Sequence, residues 1–231
     1  MSAAETAAEP SLRRRRSPRI LLVCEGNICR SPAAELLLES LLDGVPVRIA
    51  SAGLGAAIDR PMPEPMRAAI ADWGVDAHAL DEHRGRQLTP ELLERSDLVL
   101  TMTREQRTAV VRLAPALLSR AFTLAELARL ADGARPGDSA DPGTRLRQLL
   151  ASVQARRPLA QAAAAAEDIA DPYRRSHDSY EQAATAIRDA LERAAPALRA
   201  ALTPGDGVPA SAVAAPVAPP PGTPPTPARR S

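Results

Sequence analysis

The sequence predicts an α/β fold, a doubly wound parallel sheet of about four strands with helices on both faces. Short apolar runs that fit buried strands alternate along the chain with segments in which apolar residues recur at helical spacing. The first apolar run leads through a tight loop into a helical segment, as the strand-to-helix unit of such a sheet requires. The length of 231 residues is ample for one such domain with extensions.

The first strand-to-helix unit lies near the N-terminus. Residues 20–23 are apolar and partly branched, which predicts a buried parallel strand, and residues 32–42 carry good helix formers at helical spacing. Ser31 stands at the expected N-cap, and Pro32 at the first helical position, where its missing N–H costs nothing. The intervening loop would direct backbone N–H groups at one point beside the positive end of the helix dipole. The sequence therefore predicts an anion site suited to a phosphate.

Three further apolar runs fit the remaining strands. Residues 45–50 form the second predicted strand, which ends at Ser51-Ala52-Gly53, a strand-to-loop junction. Residues 97–102 and 121–124 fit the third and fourth strands.

The predicted helices lie between and after these strands. A loop rich in Gly, Pro and Asp at residues 134–143 separates two of them. Apolar residues recur at helical spacing in the segments concerned, which are residues 63–73, 104–113, 125–131, 144–156 and 177–200.

The chain divides into a domain and two tails. Residues 1–17 are small, polar and basic, and residues 204–231 are rich in Pro and Ala, so we expect both tails to be disordered. Residues 18–203 form the predicted domain. The apolar run after the N-terminal arginines spans about five residues, fewer than the roughly 7–15 of a signal-peptide core. With no membrane-spanning run elsewhere, we expect a soluble, cytoplasmic protein.

Composition excludes several classes of function. The chain has 29 basic and 28 acidic side chains, so its charge indicates no nucleic-acid partner. Every basic side chain is arginine, which excludes Schiff-base chemistry and a Walker-type phosphate lysine. The two cysteines, Cys24 and Cys29, both lie in the first loop, which fits a reducing compartment rather than a disulfide framework.

Two residues make the predicted anion site reactive, and two more shape the backbone of its loop. Cys24 begins the loop, and a helix N-terminus with a nearby guanidinium favours a thiolate. Arg30 can present a planar fork to two phosphoryl oxygens. Gly26 allows close backbone approach, and Asn27 is the non-glycine type that best tolerates positive φ. This set suits nucleophilic attack on phosphorus, giving a phosphocysteine that water hydrolyses.

The ten residues 23–32, VCEGNICRSP, resemble the signature loop of the low-molecular-weight protein tyrosine phosphatases. Bacterial members are the more similar, because the loop after Ser51-Ala52-Gly53 lacks the aromatic residue usual in eukaryotic ones. The resemblance covers residues 19–200, apart from an insertion at about residues 125–167 that is atypical of the family. It implies a phosphotyrosine phosphatase I-like fold. It assigns the phosphate-binding loop to Glu25, Gly26, Asn27, Ile28, Cys29 and Ser31.

The resemblance also implies the catalytic roles. Cys24 would be the nucleophile, Arg30 the phosphate-binding arginine, and Asp171 the general acid, a contribution typically worth about 10²–10⁴-fold. Asp168 is the local competitor for the acid, but its spacing from the following proline departs from the family pattern. Tyr173 would form one wall of the substrate cleft, near the ring of a phosphotyrosine.

In the resembling family a polar network holds the loop in shape. Transferred to this chain, it joins Asn27, Ser31, Ser51 and His83, whose hydrogen-bonding groups can buttress a loop without touching substrate. Ser31 would also donate to the Cys24 sulfur and ease its departure from phosphorus. In relatives the counterpart of Cys29 forms a reversible disulfide with the nucleophile. A buried thiol is the alternative role for this cysteine.

The predicted function is a metal-independent, cofactor-free phosphatase that acts on phosphotyrosine in proteins, by analogy a bacterial tyrosine kinase. Three alternatives stay open. Arsenate reductase on the same fold requires further cysteines beyond Cys24 and Cys29. A protein-arginine phosphatase is the second, although those relatives place Thr where Ile28 stands. The third is a non-catalytic phosphopeptide-binding module, which would not need nucleophile, arginine and acid together.

Overall fold

Four parallel strands form the sheet of the computed structural model, which describes residues 16–157 and 168–203. Their order is β2-β1-β3-β4, so the chain moves from β1 to one side and then crosses to the other. Such a switch point is where doubly wound sheets place their ligand sites. The predicted fold class is confirmed. The strands are β1 (Arg19–Cys24), β2 (Arg48–Gly53), β3 (Leu98–Thr101) and β4 (Ala121–Thr123).

Helices cover both faces of the sheet. Leu22 and Leu100 belong to one core, with α1, α2, α6, α7 and α8, whereas Leu21 and Val99 belong to a second core with α4 and α5. The helices are α1 (Arg30–Leu41), α2 (Glu64–Ala69), α3 (Ala77–Glu82), α4 (Pro90–Glu94), α5 (Arg104–Leu113), α6 (Leu124–Ala131), α7 (Pro142–Ala155) and α8 (His177–Leu202). Among the described residues no helix is both long and apolar enough to cross a membrane.

Three boundaries differ from prediction, one at the start of α1 and two at the ends of β2. Helix α1 begins at Arg30, so Ser31 lies inside it, and the N-cap is Cys29, whose carbonyl accepts from the Ala33 N–H at 3.1 Å. Ser31 instead donates its hydroxyl proton to a sulfur in the loop. The predicted strand at 45–50 is wrong by three residues, because residues 45–47 form a turn closed by the Val47 N–H on the Val45 carbonyl. Strand β2 therefore runs on through the segment that we predicted to be a strand-to-loop junction.

The region between β2 and β3 holds two helices that the sequence pattern did not predict. Asp76 caps α3 by accepting from the His78 N–H at 2.8 Å, and Thr89 caps α4. Each helix has at most six residues, too few for a periodic signal. The helix predicted at 63–73 ends as α2 at Ala69 and continues as a 3₁₀ turn, Ala71–Trp73.

Helix α7, which follows α6 along the chain, packs on α6 and on the closing helix α8. Helix α7 buries four apolar side chains, and two arginines after it reach α6. Arg157 Nε lies 2.7 Å from Glu126 Oε1, and Arg156 donates to the Leu130 and Asp132 carbonyls at the end of α6. The buried side chains of α7 are Leu146, Leu149, Leu150 and Val153.

Both predicted tails fall almost entirely outside the described residues, as does the alanine-rich run at 159–166. Of the N-terminal tail, Arg16 is described, and its Nη2 lies 2.9 Å from Asp97 Oδ1 just before β3.

Candidate active site

In the loop that follows β1 the backbone carbonyls accept hydrogen bonds, while several backbone N–H groups have no acceptor among the described residues. The carbonyls of Cys24, Glu25 and Gly26 accept hydrogen bonds of 2.9–3.1 Å from the N–H groups of the loop after β2. Within the part of the chain that the structure describes, the N–H groups of Glu25, Gly26, Ile28 and Cys29 have no acceptor. Free amides that precede a helix N-terminus are what an anion-binding loop requires.

The Cys24 sulfur lies at the start of this loop and is only 2% exposed. It accepts from the Asn27 N–H at 3.2 Å and from the Ser31 hydroxyl at 3.0 Å. Asn27 has φ 52°, the left-handed conformation that the sequence predicted for this position. Two donors directed at the sulfur can stabilise negative charge on it, so the arrangement suits a nucleophile that later departs.

Asn27 is the centre of the polar network that holds the loop. Its Nδ2 donates to Ser31 Oγ at 3.0 Å and to Ser51 Oγ at 2.8 Å. Its carbonyl accepts from His83 Nε2 at 2.8 Å. The structure therefore brings together the four residues that the resemblance implied. Asn27, Ser31 and Ser51 are all at most 1% exposed, so water is excluded from these bonds.

Two residues of this network were not singled out from the sequence. The Arg86 N–H donates to Asn27 Oδ1 at 2.9 Å, and Glu35 accepts from Ser51 Oγ at 2.5 Å. Glu35 lies on α1 and reaches β2 across the register that sets Ser51 beside Leu22. No local sequence signal marks either contact, because both depend on how separate elements pack.

Two glycines let neighbouring backbone approach the loop. A Cβ added at Gly53 would lie 2.4 Å from the Glu25 carbonyl oxygen and 3.0 Å from the Asn27 nitrogen. A Cβ at Gly85 would lie 2.3 Å from the Ala57 carbonyl oxygen. Both contacts are with backbone, which cannot yield as a side chain does. A residue with a side chain would therefore not fit at Gly85 without a shift of this backbone.

Arg30 connects the loop to the segment before α8. Its guanidinium is 3% exposed, Nη2 lies 2.6 Å from Asp171 Oδ2, and Nη1 donates to the Ile169 carbonyl at 3.0 Å. The buried Nε has no hydrogen-bond partner among the described residues. A buried guanidinium with a free donor beside free amides can bind an oxyanion.

The two candidate acids face different neighbours. Asp171 is paired with Arg30, and its Oδ1 accepts from the Tyr173 N–H at 3.2 Å. Asp168 accepts from the Arg104 N–H at 2.8 Å, at the start of α5, and its carboxylate lies 3.5 Å from Arg104 Nε. Only Asp171 therefore contacts a residue of the loop.

Cys29 differs from Cys24 in its surroundings. It is 3% exposed, and burial, followed by the nearby charges of Cys24 and Asp171, raises the pKa of the Cys29 thiol to about 12. Cys29 is therefore a neutral thiol at physiological pH. Both cysteines are free in this structure, with no disulfide between them.

Tyr173 lies two residues beyond Asp171 and is 43% exposed. The Arg174 guanidinium sits 5.2 Å from the centre of its ring, and the Arg174 N–H donates to the Tyr180 hydroxyl at 3.2 Å. An aromatic ring held at the surface beside the acid can serve as a cleft wall. Among the described residues no group of three or more His, Cys, Asp or Glu side chains could hold a metal ion.

A family model matches most of the described chain. The model, described as low molecular weight phosphotyrosine protein phosphatase, matches residues 19–156. A probable low molecular weight protein-tyrosine-phosphatase, EpsP of Ralstonia nicotianae, is 32% identical over 181 residues, which are 78% of this chain and 96% of EpsP. The protein-arginine-phosphatase of Geobacillus stearothermophilus is 37% identical over 125 residues, 54% of this chain and 78% of that protein.

Solved structures of the same two activities are similar in fold. The Erwinia amylovora tyrosine phosphatase AmsI has a TM-score of 0.57 at 27% identity, covering 78% of this chain and 93% of its own. The YwlE arginine phosphatase from Geobacillus stearothermophilus has a TM-score of 0.55 at 28% identity, covering 78% and 91%.

Proposed function

The chain belongs to the low molecular weight phosphotyrosine protein phosphatases, and from this membership we propose how its own residues hydrolyse the phosphate ester. It is a protein-tyrosine phosphatase of the bacterial type. In the proposed route Cys24 is the nucleophile, Arg30 binds the phosphoryl group with the loop amides, and Asp171 moves the proton. The observation that carries this proposal is the 2.6 Å ion pair that brings Asp171 to the loop of Cys24.

In the first step the Cys24 thiolate attacks phosphorus. The S–P bond forms as the P–O bond to the tyrosine oxygen breaks, and protonated Asp171 gives its proton to that oxygen, so a neutral phenol leaves. The free N–H groups of the loop and the Arg30 guanidinium would bind the three remaining oxygens, where negative charge develops.

In the second step water attacks the phosphocysteine. Asp171, now a carboxylate, accepts a proton from that water, and the P–O bond forms as the S–P bond breaks. The electron pair returns to the Cys24 sulfur, where the Ser31 hydroxyl at 3.0 Å and the Asn27 N–H at 3.2 Å would stabilise the departing thiolate. Phosphate and the starting thiolate are the products.

Three further proposals concern the surroundings of this site. The exposed ring of Tyr173 supports its role as a cleft wall, open to a tyrosine carried on a protein surface. For the substrate we propose a phosphorylated bacterial tyrosine kinase. We also propose a cytoplasmic location, because the nucleophile must stay a free thiol.

The division of the chain is also a proposal. Residues 18–203 would form the phosphatase domain, with residues 125–167 the part atypical of the family, between tails at 1–17 and 204–231. The apolar face of α7 is buried against the domain core, which supports a structural role for the described part of this insertion.

Arginine phosphatase activity is the second candidate, because a protein-arginine-phosphatase is among the relatives. Ile28, 6% exposed in the loop, is apolar and therefore better suited to the ring of a phosphotyrosine than to a charged phosphoarginine. The test is to compare kcat/KM of the full chain on matched peptides carrying phosphotyrosine, phosphoarginine or phosphoserine. We expect phosphotyrosine to be the best substrate. A higher kcat/KM on phosphoarginine would overturn the substrate class while leaving the thiol chemistry in place.

A further inference from the structure

The hydrogen bonds around Asn27 can run in only one direction. The Arg86 N–H is a donor by nature and lies 2.9 Å from one terminal atom of the Asn27 amide, so that atom is the oxygen. The NH₂ group then faces Ser31 and Ser51 and donates one proton to each, at 3.0 and 2.8 Å. Both serine oxygens are therefore acceptors toward Asn27.

Each serine hydroxyl must give its own proton to a different partner. Ser31 gives it to the Cys24 sulfur at 3.0 Å, and Ser51 gives it to Glu35 Oε2 at 2.5 Å. A carboxylate is an acceptor only, so this last bond also has a single direction. Within the described chain Ser51 Oγ has no other acceptor, and at 1% exposure it cannot turn to water.

We propose that Glu35 is a positioning residue for the phosphatase reaction, because it sets the direction of the hydrogen bonds that end at the Cys24 sulfur. By taking the Ser51 proton, Glu35 leaves the Ser51 oxygen free to accept from Asn27. Asn27 is then held with its second N–H on Ser31, whose proton points at sulfur. The inference rests on the proposed role of Cys24 as nucleophile, and Glu35 itself touches neither the sulfur nor the loop amides.

Loss of the Glu35 carboxylate would affect the Cys24 sulfur indirectly, through the hydrogen bonds of the two serines and Asn27. The Ser51 proton would lack an acceptor, and nothing would then hold the Ser51 hydroxyl in the orientation in which its oxygen accepts from the Asn27 N–H. Asn27 would then hold Ser31 less firmly, and the bond to sulfur would weaken. Because that bond stabilises the negative charge that returns to sulfur, its loss should slow departure of sulfur from the phosphocysteine.

The experiment compares Glu35→Leu, Glu35→Gln and Glu39→Gln in the full chain. For Glu35→Leu we expect kcat on an aryl phosphate to fall about five- to tenfold, the effect of one buried hydrogen bond. The fall in kcat/KM, which reports the steps up to the phosphocysteine, should be smaller than the fall in kcat. Glu35→Gln keeps an oxygen that can accept the Ser51 proton, so it should restore most of the lost kcat. Glu39 lies one turn further along α1, where burial and the charge of Glu35 raise its pKa to about 7, but it has no hydrogen bond to the network among the described residues. Glu39→Gln therefore removes a neighbouring carboxyl and no bond of the network, and it should match the parent chain.

A double-mutant cycle tests the route of the effect. If Glu35 acts through Ser51, Glu35→Leu combined with Ser51→Ala should be no slower than the slower single variant. Additive losses, or a kcat/KM that falls as far as kcat in Glu35→Leu, would overturn the proposal. Should Glu35→Leu fail to fold, Glu35→Ala with and without Ser51→Ala gives the same comparison, and independent losses there would equally overturn it. A Cys24→Ser variant that still turned over would instead refute the proposed function.

Discussion

The loop at 24–31 and the acid segment at 168–173 meet at Arg30 but are held very differently. The loop is bonded to the residues after β2, to the segment at 83–86 and to α1, and Asn27 and Ser31 in it are fully buried. The acid segment is held by the Arg30 contacts, by the Ile169 N–H on the Met102 carbonyl and by Asp168 at α5. Its Asp171 side chain is 46% exposed.

The difference reflects two tasks. Donors that stabilise developing charge act best when they are fixed beforehand, because they then need no reorganisation as the charge forms. A residue that gives a proton to a leaving group and then receives one from water must reach two different atoms. Few bonds and high exposure suit such a residue. We therefore expect changes in the loop to affect chemistry or stability sharply, and changes in the acid segment to act mainly on proton transfer.

The largest effect should come from the loop nucleophile. Cys24→Ser should lower turnover of an aryl phosphate by at least about 10⁴-fold, because a serine hydroxyl is a much weaker nucleophile than a thiolate. Among the described residues the partners of the Cys24 sulfur are two donors, and neither is a base that could activate the serine. Binding of an oxyanion such as vanadate should remain measurable by calorimetry, since the amides and Arg30 are retained. Retained hydrolysis would show that another group attacks phosphorus.

Next should come the acid segment. Asp171→Asn should lower kcat on a phenyl phosphate by about 10²–10⁴-fold. The loss should shrink for esters whose leaving group is a more acidic phenol, which needs less protonation. Asp168→Asn is the matched comparison, and it should cost little activity because this carboxylate faces Arg104. The reverse ranking of the two variants would move the acid to Asp168.

The third effect is on stability and tests how tightly the loop is enclosed. Gly53→Ala places a methyl group 2.4 Å from the Glu25 carbonyl, so we expect a loss of about 1–3 kcal/mol in the free energy of unfolding, with reduced turnover. Gly143→Ala, in α7, meets nothing closer than 3.4 Å and should be neutral or stabilising. Urea denaturation measures both. Equal stability of the two variants would mean that the loop yields easily.

The sequence predicted the parts of the molecule whose causes are local. Residues 23–32 predict the end of a strand, a loop and the start of a helix, in the order observed. Asn27 has the positive φ that its residue type allows. The second strand was misplaced because the propensity of Val45 and Val47 was outweighed by a turn hydrogen bond that leaves Arg48 as the first paired residue. Tertiary bonding of this kind overrides local preference.

Contacts between distant segments could not be predicted from pattern alone. In the sequence Glu35 is an ordinary helix residue. Its contact with Ser51 depends on how α1 packs against β2, which lies beside β1 in the sheet. The contact of Arg30 with the segment before α8 could be expected only from the family resemblance, because no local pattern in either segment indicates the other. The choice of Asp171 over Asp168 rested on spacing, and the distinct neighbours of the two carboxylates now support it.

The ion pair of Arg30 with Asp171 has a consequence for how the free enzyme binds anions. Arg30 Nη2 is engaged by a carboxylate of the same chain at 2.6 Å, so an incoming oxyanion meets a tethered competitor at high effective concentration. That competition weakens ester and inorganic phosphate alike. Affinity lost equally from substrate and transition state leaves kcat untouched. Inorganic phosphate should therefore be a poor inhibitor of this enzyme, because the anion must first displace the Asp171 carboxylate from Arg30.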